Sequence, residues 1–99
     1  MSETPQSSVG RCCRRIIFHG RVQGVGFRYT MASAAKYFRV NGYVRNCADG
    51  TVELVVEGPT ESVDRLLRRV GDEFADNIER QLVEEVAINE PPDGFEIRR

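Results

Sequence analysis

The chain has 99 residues, 40% of them hydrophobic and 29% charged, with 14 Lys/Arg against 15 Asp/Glu and a formal net charge of −1. These values describe one soluble domain with a single core, and the longest apolar runs are too short to cross a membrane as a helix. Three cysteines and one histidine form no metal-ligand spacing, which excludes a zinc site.

Taken in chain order, residues 1–12 read as a flexible N-terminal tail, Ser/Thr/Pro/Gln-rich as far as Gly10, and residues 13–99 as the domain. Cys13 to His19 reads as a first strand. A glycine-rich stretch follows, Gly20-Arg21-Val22-Gln23-Gly24-Val25-Gly26. Phe27, Met31, Ala34, Ala35 and Phe38 then mark one face of a helix, ended by Val40-Asn41-Gly42. Tyr43 to Asn46 is a second strand, Asp49-Gly50 a hairpin turn, and Thr51 to Glu57 a third strand with Val52, Leu54 and Val56 on one face. Gly58-Pro59-Thr60 stops it, with Thr60 as the cap of a second helix carrying Val63, Leu66, Leu67, Val70 and Phe74. Whether that helix continues past Gly71 or restarts stays open. Leu82 to Ile88 and Phe95 to Arg99 supply one or two closing strands, joined by a turn at Pro91-Pro92-Asp93-Gly94. The order is β-α-β-β-α-β, an α+β ferredoxin-like sandwich with an antiparallel sheet and two helices on one face. That architecture by itself names no activity.

The charge is unevenly placed. Residues 1–50 hold eight Lys/Arg against two Asp/Glu (+6), and residues 51–99 hold six against thirteen (−7). The acidic half argues against an extended nucleic-acid face, and the basic half suits a small anion. With no secretory signal ahead of the domain and an odd cysteine count, a reduced cytoplasmic protein is expected. A Cys47–His19 catalytic pair is conceivable, but nothing local marks Cys47 as activated.

The glycine stretch leads from a strand into a helix whose first turn contains Arg28. Glycines let successive N–H groups converge, and a helix N-terminus adds partial positive charge. Neither the P-loop nor the Gly-x-Gly-x-x-Gly spacing is present, so no nucleotide fold is implied. Glycine content alone favours an ordinary strand-to-helix turn over an anion cradle. Arg28 favours the cradle, because a cation in the first turn opposes the helix dipole unless an anion compensates it. Asn46 reads either as a turn residue of the hairpin or as an amide holding a water against a bound anion. His19 reads as a structural or surface residue, the Arg68-Arg69 pair as a solvated helix face, and Phe27 as core. Arg21 and Gln23 are expected to contribute backbone more than side chain.

Two stretches in this order resemble the acylphosphatase family. The first runs from Phe18 through Gly20-Arg21-Val22-Gln23-Gly24-Val25-Gly26-Phe27-Arg28. The second is Gly42-Tyr43-Val44-Arg45-Asn46 with Gly50, Val52 and Gly58, and Gly94-Phe95-Glu96-Ile97-Arg98 resembles the family's last strand. Gly71–Ile78 departs from the short Gly/Pro-rich connection common there, and Phe18 stands at an aliphatic position. The resemblance implies an acid-anhydride hydrolase that splits the carboxyl–phosphate bond of small acyl phosphates by direct water attack, releasing a carboxylate and inorganic phosphate. The loop from Gly20 to Gly26 and Arg28 would bind the phosphoryl oxygens, and Asn46 would orient the water. It implies no metal or organic cofactor. Inorganic phosphate or sulfate would compete for the site. From the residues themselves, the lack of an apolar stripe beyond the core suggests a monomer, and neither nucleic-acid nor membrane partners are expected. Such chemistry needs positioning and charge stabilisation more than a strong base. The rivals are an RNA-recognition domain, poorly served by an aromatic-free third strand, a non-catalytic anion binder, and an accessory domain of a larger enzyme, which the chain length opposes.

Overall fold

The computed structural model describes residues 10–87 and 93–99. The elements are β1 (Arg11–Gly20), α1 (Phe27–Phe38), β2 (Asn41–Asn46), β3 (Val52–Pro59), α2 (Thr60–Glu73), β4 (Ile78–Glu85) and β5 (Phe95–Arg98). They form one five-stranded sheet in the order β4-β1-β3-β2-β5. β1 pairs antiparallel with β3 and β4, and β2 antiparallel with β3. β5 lies parallel to β2, so the sheet is mixed where the sequence suggested a purely antiparallel one. The chain leaves β4 at one edge and returns beside β2 at the other, which reverses the sense of the last strand relative to a hairpin. The α+β, ferredoxin-like architecture with two helices is otherwise as expected. α1 packs over β2 and β5, α2 over β1 and β3, and the helices touch each other.

Cross-strand register explains the core. Ile16, Leu54 and Val44 form one row across β1, β3 and β2, and Phe18, Val52 and Asn46 form the next. The apolar members are completely or almost completely buried, together with Phe27, Met31, Val63, Leu66 and Val70 from the helices. Burial at about 1.5–3 kcal/mol per large apolar side chain holds the helices on this face. Phe27 stands edge-on between Phe18 and Phe74, with ring centroids 4.9 Å from each.

Element boundaries differ from the sequence pattern where hydrogen bonding, not apolar periodicity, sets them. β1 starts at Arg11, so Arg11 and Cys12 lie in the sheet and not in the tail. β4 starts at Ile78 and not Leu82. It is an exposed edge strand whose polar residues carry no alternation to read, and Ile88, Pro91 and Pro92 lie outside the described residues. α2 runs through Gly71 to Glu73, where Phe74 N–H closes it on Val70 O at 3.0 Å. Its N-cap is Pro59, with Thr60 the first helical residue and not the cap. The hairpin turns on Ala48-Asp49 with Gly50 left-handed at φ 91°, and Gly50 N–H reaches Cys47 O at 3.2 Å. This is a three-residue loop with a bulge and not a two-residue turn at Asp49-Gly50. Asp49 Oδ1 accepts from Thr51 Oγ1 at 2.6 Å and Thr51 N at 3.1 Å, and these bonds hold its carboxyl below the usual range.

On the face away from the helices, Glu53 is 4% exposed and lies between Arg15 and Arg45, 2.5 Å from each. Burial alone would raise its pKa, but the two guanidinium hydrogen bonds outweigh it and the net shift is downward. A carboxyl depressed in the folded state stabilises the fold above its unfolded pKa, and that stability is lost as pH falls through the folded value. Glu53→Gln should therefore lower Tm most at pH 7. The gap to the unsubstituted protein should narrow below about pH 4.3, the ordinary glutamate value, in thermal melts from pH 7 to 3; a gap independent of pH would contradict this.

Candidate functional site

The loop between β1 and α1 is held at three points. At its entry a bulge separates His19 from Gly20, and Gly20 has φ 128° with Asn77 so close that a Cβ would lie 2.2 Å from the Asn77 carbonyl oxygen. Arg21 N–H donates to Asn77 O at 2.9 Å, and Asn77 Nδ2 donates back to Arg21 O at 3.0 Å. Val22 is 1% exposed and plugs into the core. Gln23 Nε2 donates to both Cys47 O and Thr51 O at 2.9 Å, tying the loop to the β2–β3 hairpin.

Beyond Gln23 the backbone curls. Gly24 and Gly26 have φ 76° and 83°, and Val25 between them has no positive φ. A Cβ at either glycine would meet nothing within 4 Å, so the conformation and not space calls for glycine. Alternation of this kind turns successive N–H groups into one concavity. Gly26 is the N-cap of α1, with no side-chain cap bond and no acidic residue in the first turn, leaving the helix's first N–H groups without intrahelical partners. Val22, Gly24, Gly26, Phe27, Arg28 and Tyr29 line a hollow of about 250 Å³ there.

Arg28 differs from the other half-buried arginines in partnership. Arg14, Arg15, Arg28 and Arg45 are half-buried. Arg14 pairs with Asp64 and Glu85, Arg15 with Glu53 and Glu84, and Arg45 with Glu53. Among the described residues Arg28 has no acidic partner, so its charge is available to a ligand in the hollow.

Asn46 ends β2 in the cross-strand row of Phe18 and Val52, which places it on the helix-packed face about two strand spacings, roughly 10 Å, from Phe18. Its Oδ1 is buried and accepts no hydrogen bond from the described residues. A buried carbonyl oxygen normally has a donor, and this one lies at the end of the sheet over which α1 begins.

The hollow is lined by some of the residues expected in the site and not by others. Val22, Gly24, Gly26 and Arg28 line the hollow; Gly20, Arg21, Gln23 and Val25 do not, and neither does Asn46. The Arg21 N–H is engaged by Asn77, so the converging amides begin after it. His19 alternates with Phe18 onto the opposite face, where its Nε2 lies 3.5 Å from Arg80. The sequence reading missed the Gln23 side chain. Its partners are 24 and 28 residues away, and only a loop glutamine among glycines hinted at it. The arrangement as a whole offers donors and one permanent cation to a small tetrahedral anion, with a neutral amide oxygen on the same face to accept from a water.

Comparison with known proteins shows the family. The family model described as "Acylphosphatase" matches residues 14–97. An acylphosphatase of Azorhizobium caulinodans is 42% identical over 85 residues, covering 84% of this chain and 88% of that protein. One from Trichormus variabilis is 38% identical over 104 residues, covering 99% of this chain and 95% of that protein. The crystal structure of acylphosphatase from Bacillus subtilis superposes with a TM-score of 0.78 at 33% identity, covering 88% of this chain and 98% of that one.

A ligand that binds only the folded state raises Tm by mass action. Inorganic phosphate should therefore raise Tm in a concentration-dependent way in thermal-shift assays, and Arg28→Ala should abolish the shift. Arg28→Lys should restore only part of it, because an ammonium lacks the forked donor geometry.

Proposed function

Because this chain belongs to the acylphosphatase family and is an enzyme splitting the carboxyl–phosphate bond of small acyl phosphates, we propose that the hollow at the start of α1 holds the phosphoryl group while Asn46 orients the attacking water. The phosphoryl oxygens accept from Arg28 and from the loop amides beyond Arg21. Asn46 Oδ1 accepts one O–H of a water and so turns its lone pair toward phosphorus. The new bond forms between the water oxygen and phosphorus as the bond from phosphorus to the acyl oxygen breaks, and the electron pair leaves on the carboxylate. The water's proton passes to a phosphoryl oxygen of the substrate, since an amide is no base at neutral pH. The products are a carboxylate and inorganic phosphate, which competes with substrate for the cradle, as sulfate would.

The observation that carries this reading is the buried Oδ1 of Asn46, without a partner among the described residues, on the face and in the row over which the cradle is built. Catalysis of this kind rests on positioning and on charge stabilisation of the equatorial oxygens, with no covalent intermediate on the enzyme. A carboxylate is already a good leaving group, so no general acid is needed. Among the described residues no helix is long and apolar enough to cross a membrane, and the three cysteines are unbridged. We propose that the enzyme acts in the cytoplasm, where cysteines stay reduced, and as a monomer.

Hydrolysis of benzoyl phosphate in EDTA, followed by ultraviolet absorbance, tests the assignment. The intact protein should turn over rapidly. Asn46→Ala and Arg28→Ala should each lose at least about 10²–10³-fold in kcat, the scale of losing one preorganised transition-state contact. Full turnover by folded Asn46→Ala would remove its assigned role.

A further inference from the structure

Gln23 carries side-chain contacts that the reaction as described leaves unused. A primary amide has two N–H donors, and Gln23 Nε2 makes two bonds of 2.9 Å, to Cys47 O and Thr51 O. Those carbonyls already belong to the hairpin: Thr51 O also accepts from Cys47 N at 2.8 Å, and Cys47 O from Gly50 N at 3.2 Å. The carboxamide therefore grips both strands of the hairpin at one level, one residue beyond Asn46. The loop end of this link is equally fixed, because Val22 is buried in the core and Arg21 is bonded to Asn77 in both directions. Among the described residues no backbone hydrogen bond joins residues 21–26 to the hairpin. The Gln23 side chain is thus the direct hydrogen-bonded tie between the two parts of the site.

On the reading that the loop holds the phosphoryl group and Asn46 the water, we infer that Gln23 is a positioning residue whose side chain sets the distance between cradle and water. It touches neither reacting group. Without its two bonds the hairpin is released from the loop, and Asn46 drifts relative to phosphorus while the cradle keeps its own anchors at Asn77 and Val22. A displacement near 1 Å costs up to about 10²-fold in rate, so the loss falls on kcat and not on phosphate binding.

The test compares Gln23→Leu, which keeps the volume and removes the donors, with Gln23→Glu, which keeps the shape and presents acceptors to two carbonyls. The assay is benzoyl phosphate hydrolysis with inorganic phosphate as competitive inhibitor. Both variants should fold by circular dichroism and lose about 10- to 100-fold in kcat, with KM and the phosphate inhibition constant within about twofold of the parent. Gln23→Leu combined with Asn46→Ala should be no slower than Asn46→Ala alone, because Gln23 acts through Asn46. A lowered Tm with unchanged kcat, losses that multiply in the double variant, or failure of both variants to fold would each overturn the inference. Active Asn46→Ala would overturn the site reading itself. Inactive Asn46→Ala beside fully active Gln23→Leu would overturn the positioning role alone.

Discussion

The position of Phe27 governs this end of the molecule. The chain passes Phe18 in β1, leaves the sheet at Gly20 and returns with Phe27 packed edge-on against Phe18 at 4.9 Å. Phe74, at the end of α2, closes the ring from the other side at the same distance. Each aromatic pair adds about 0.5–1.5 kcal/mol beyond its burial, and all three rings are at most 8% exposed. Residues 21–26 would span roughly 20 Å if extended but connect two places stacked directly on each other. They have to fold back, and Gly24 and Gly26 supply the left-handed turns that allow it. The concavity at the start of α1 is therefore a consequence of aromatic packing in the core beneath it.

Charge is treated differently on the two faces of the sheet. Away from the helices, Glu53 is enclosed by Arg15 and Arg45, and Glu57 by Arg11 with Asn41. Arginine stems thereby cover the central strand, and their heads are neutralised by buried carboxylates. At the start of α1 the opposite choice is made. Arg28 sits half-buried in a first turn without acids, against the helix dipole and without an acidic partner among the described residues. Such a placement is unfavourable by a few tenths to about 1 kcal/mol in the absence of a ligand. An anion shared by Arg28 and the amide groups, as proposed for the phosphoryl group, would make it favourable.

Much of this was legible in the sequence, for identifiable reasons. The helices could be read because Phe27, Met31 and Ala35, and Val63, Leu66 and Val70, keep one face buried. The third strand could be read because it is central, with apolar residues on the covered face. The start of β4 and the parallel pairing of β5 were not legible, because edge strands expose both faces and their partners are set by a return across the whole sheet. The true hairpin turn was missed by one residue, since a left-handed Gly50 serves a bulged three-residue loop as readily as a two-residue one. In the site, Arg28 announced itself by opposing the helix dipole. Asn46 could be read from the sequence as a turn residue or as a functional one, and only the register shows that it shares the row of Phe18. The partners of the Gln23 tie could not be read, because they are backbone carbonyls, which no side-chain pattern encodes.

The central claim is that water attacks phosphorus while the loop and Arg28 hold the phosphoryl group. Hydrolysis of an acyl phosphate in ¹⁸O-labelled water, with both products examined by mass spectrometry after one turnover, tests it most directly. The account predicts the label in inorganic phosphate and none in the carboxylate. Label in the carboxylate would mean attack at the acyl carbon, and the cradle would then be gripping a leaving group instead of the reacting centre.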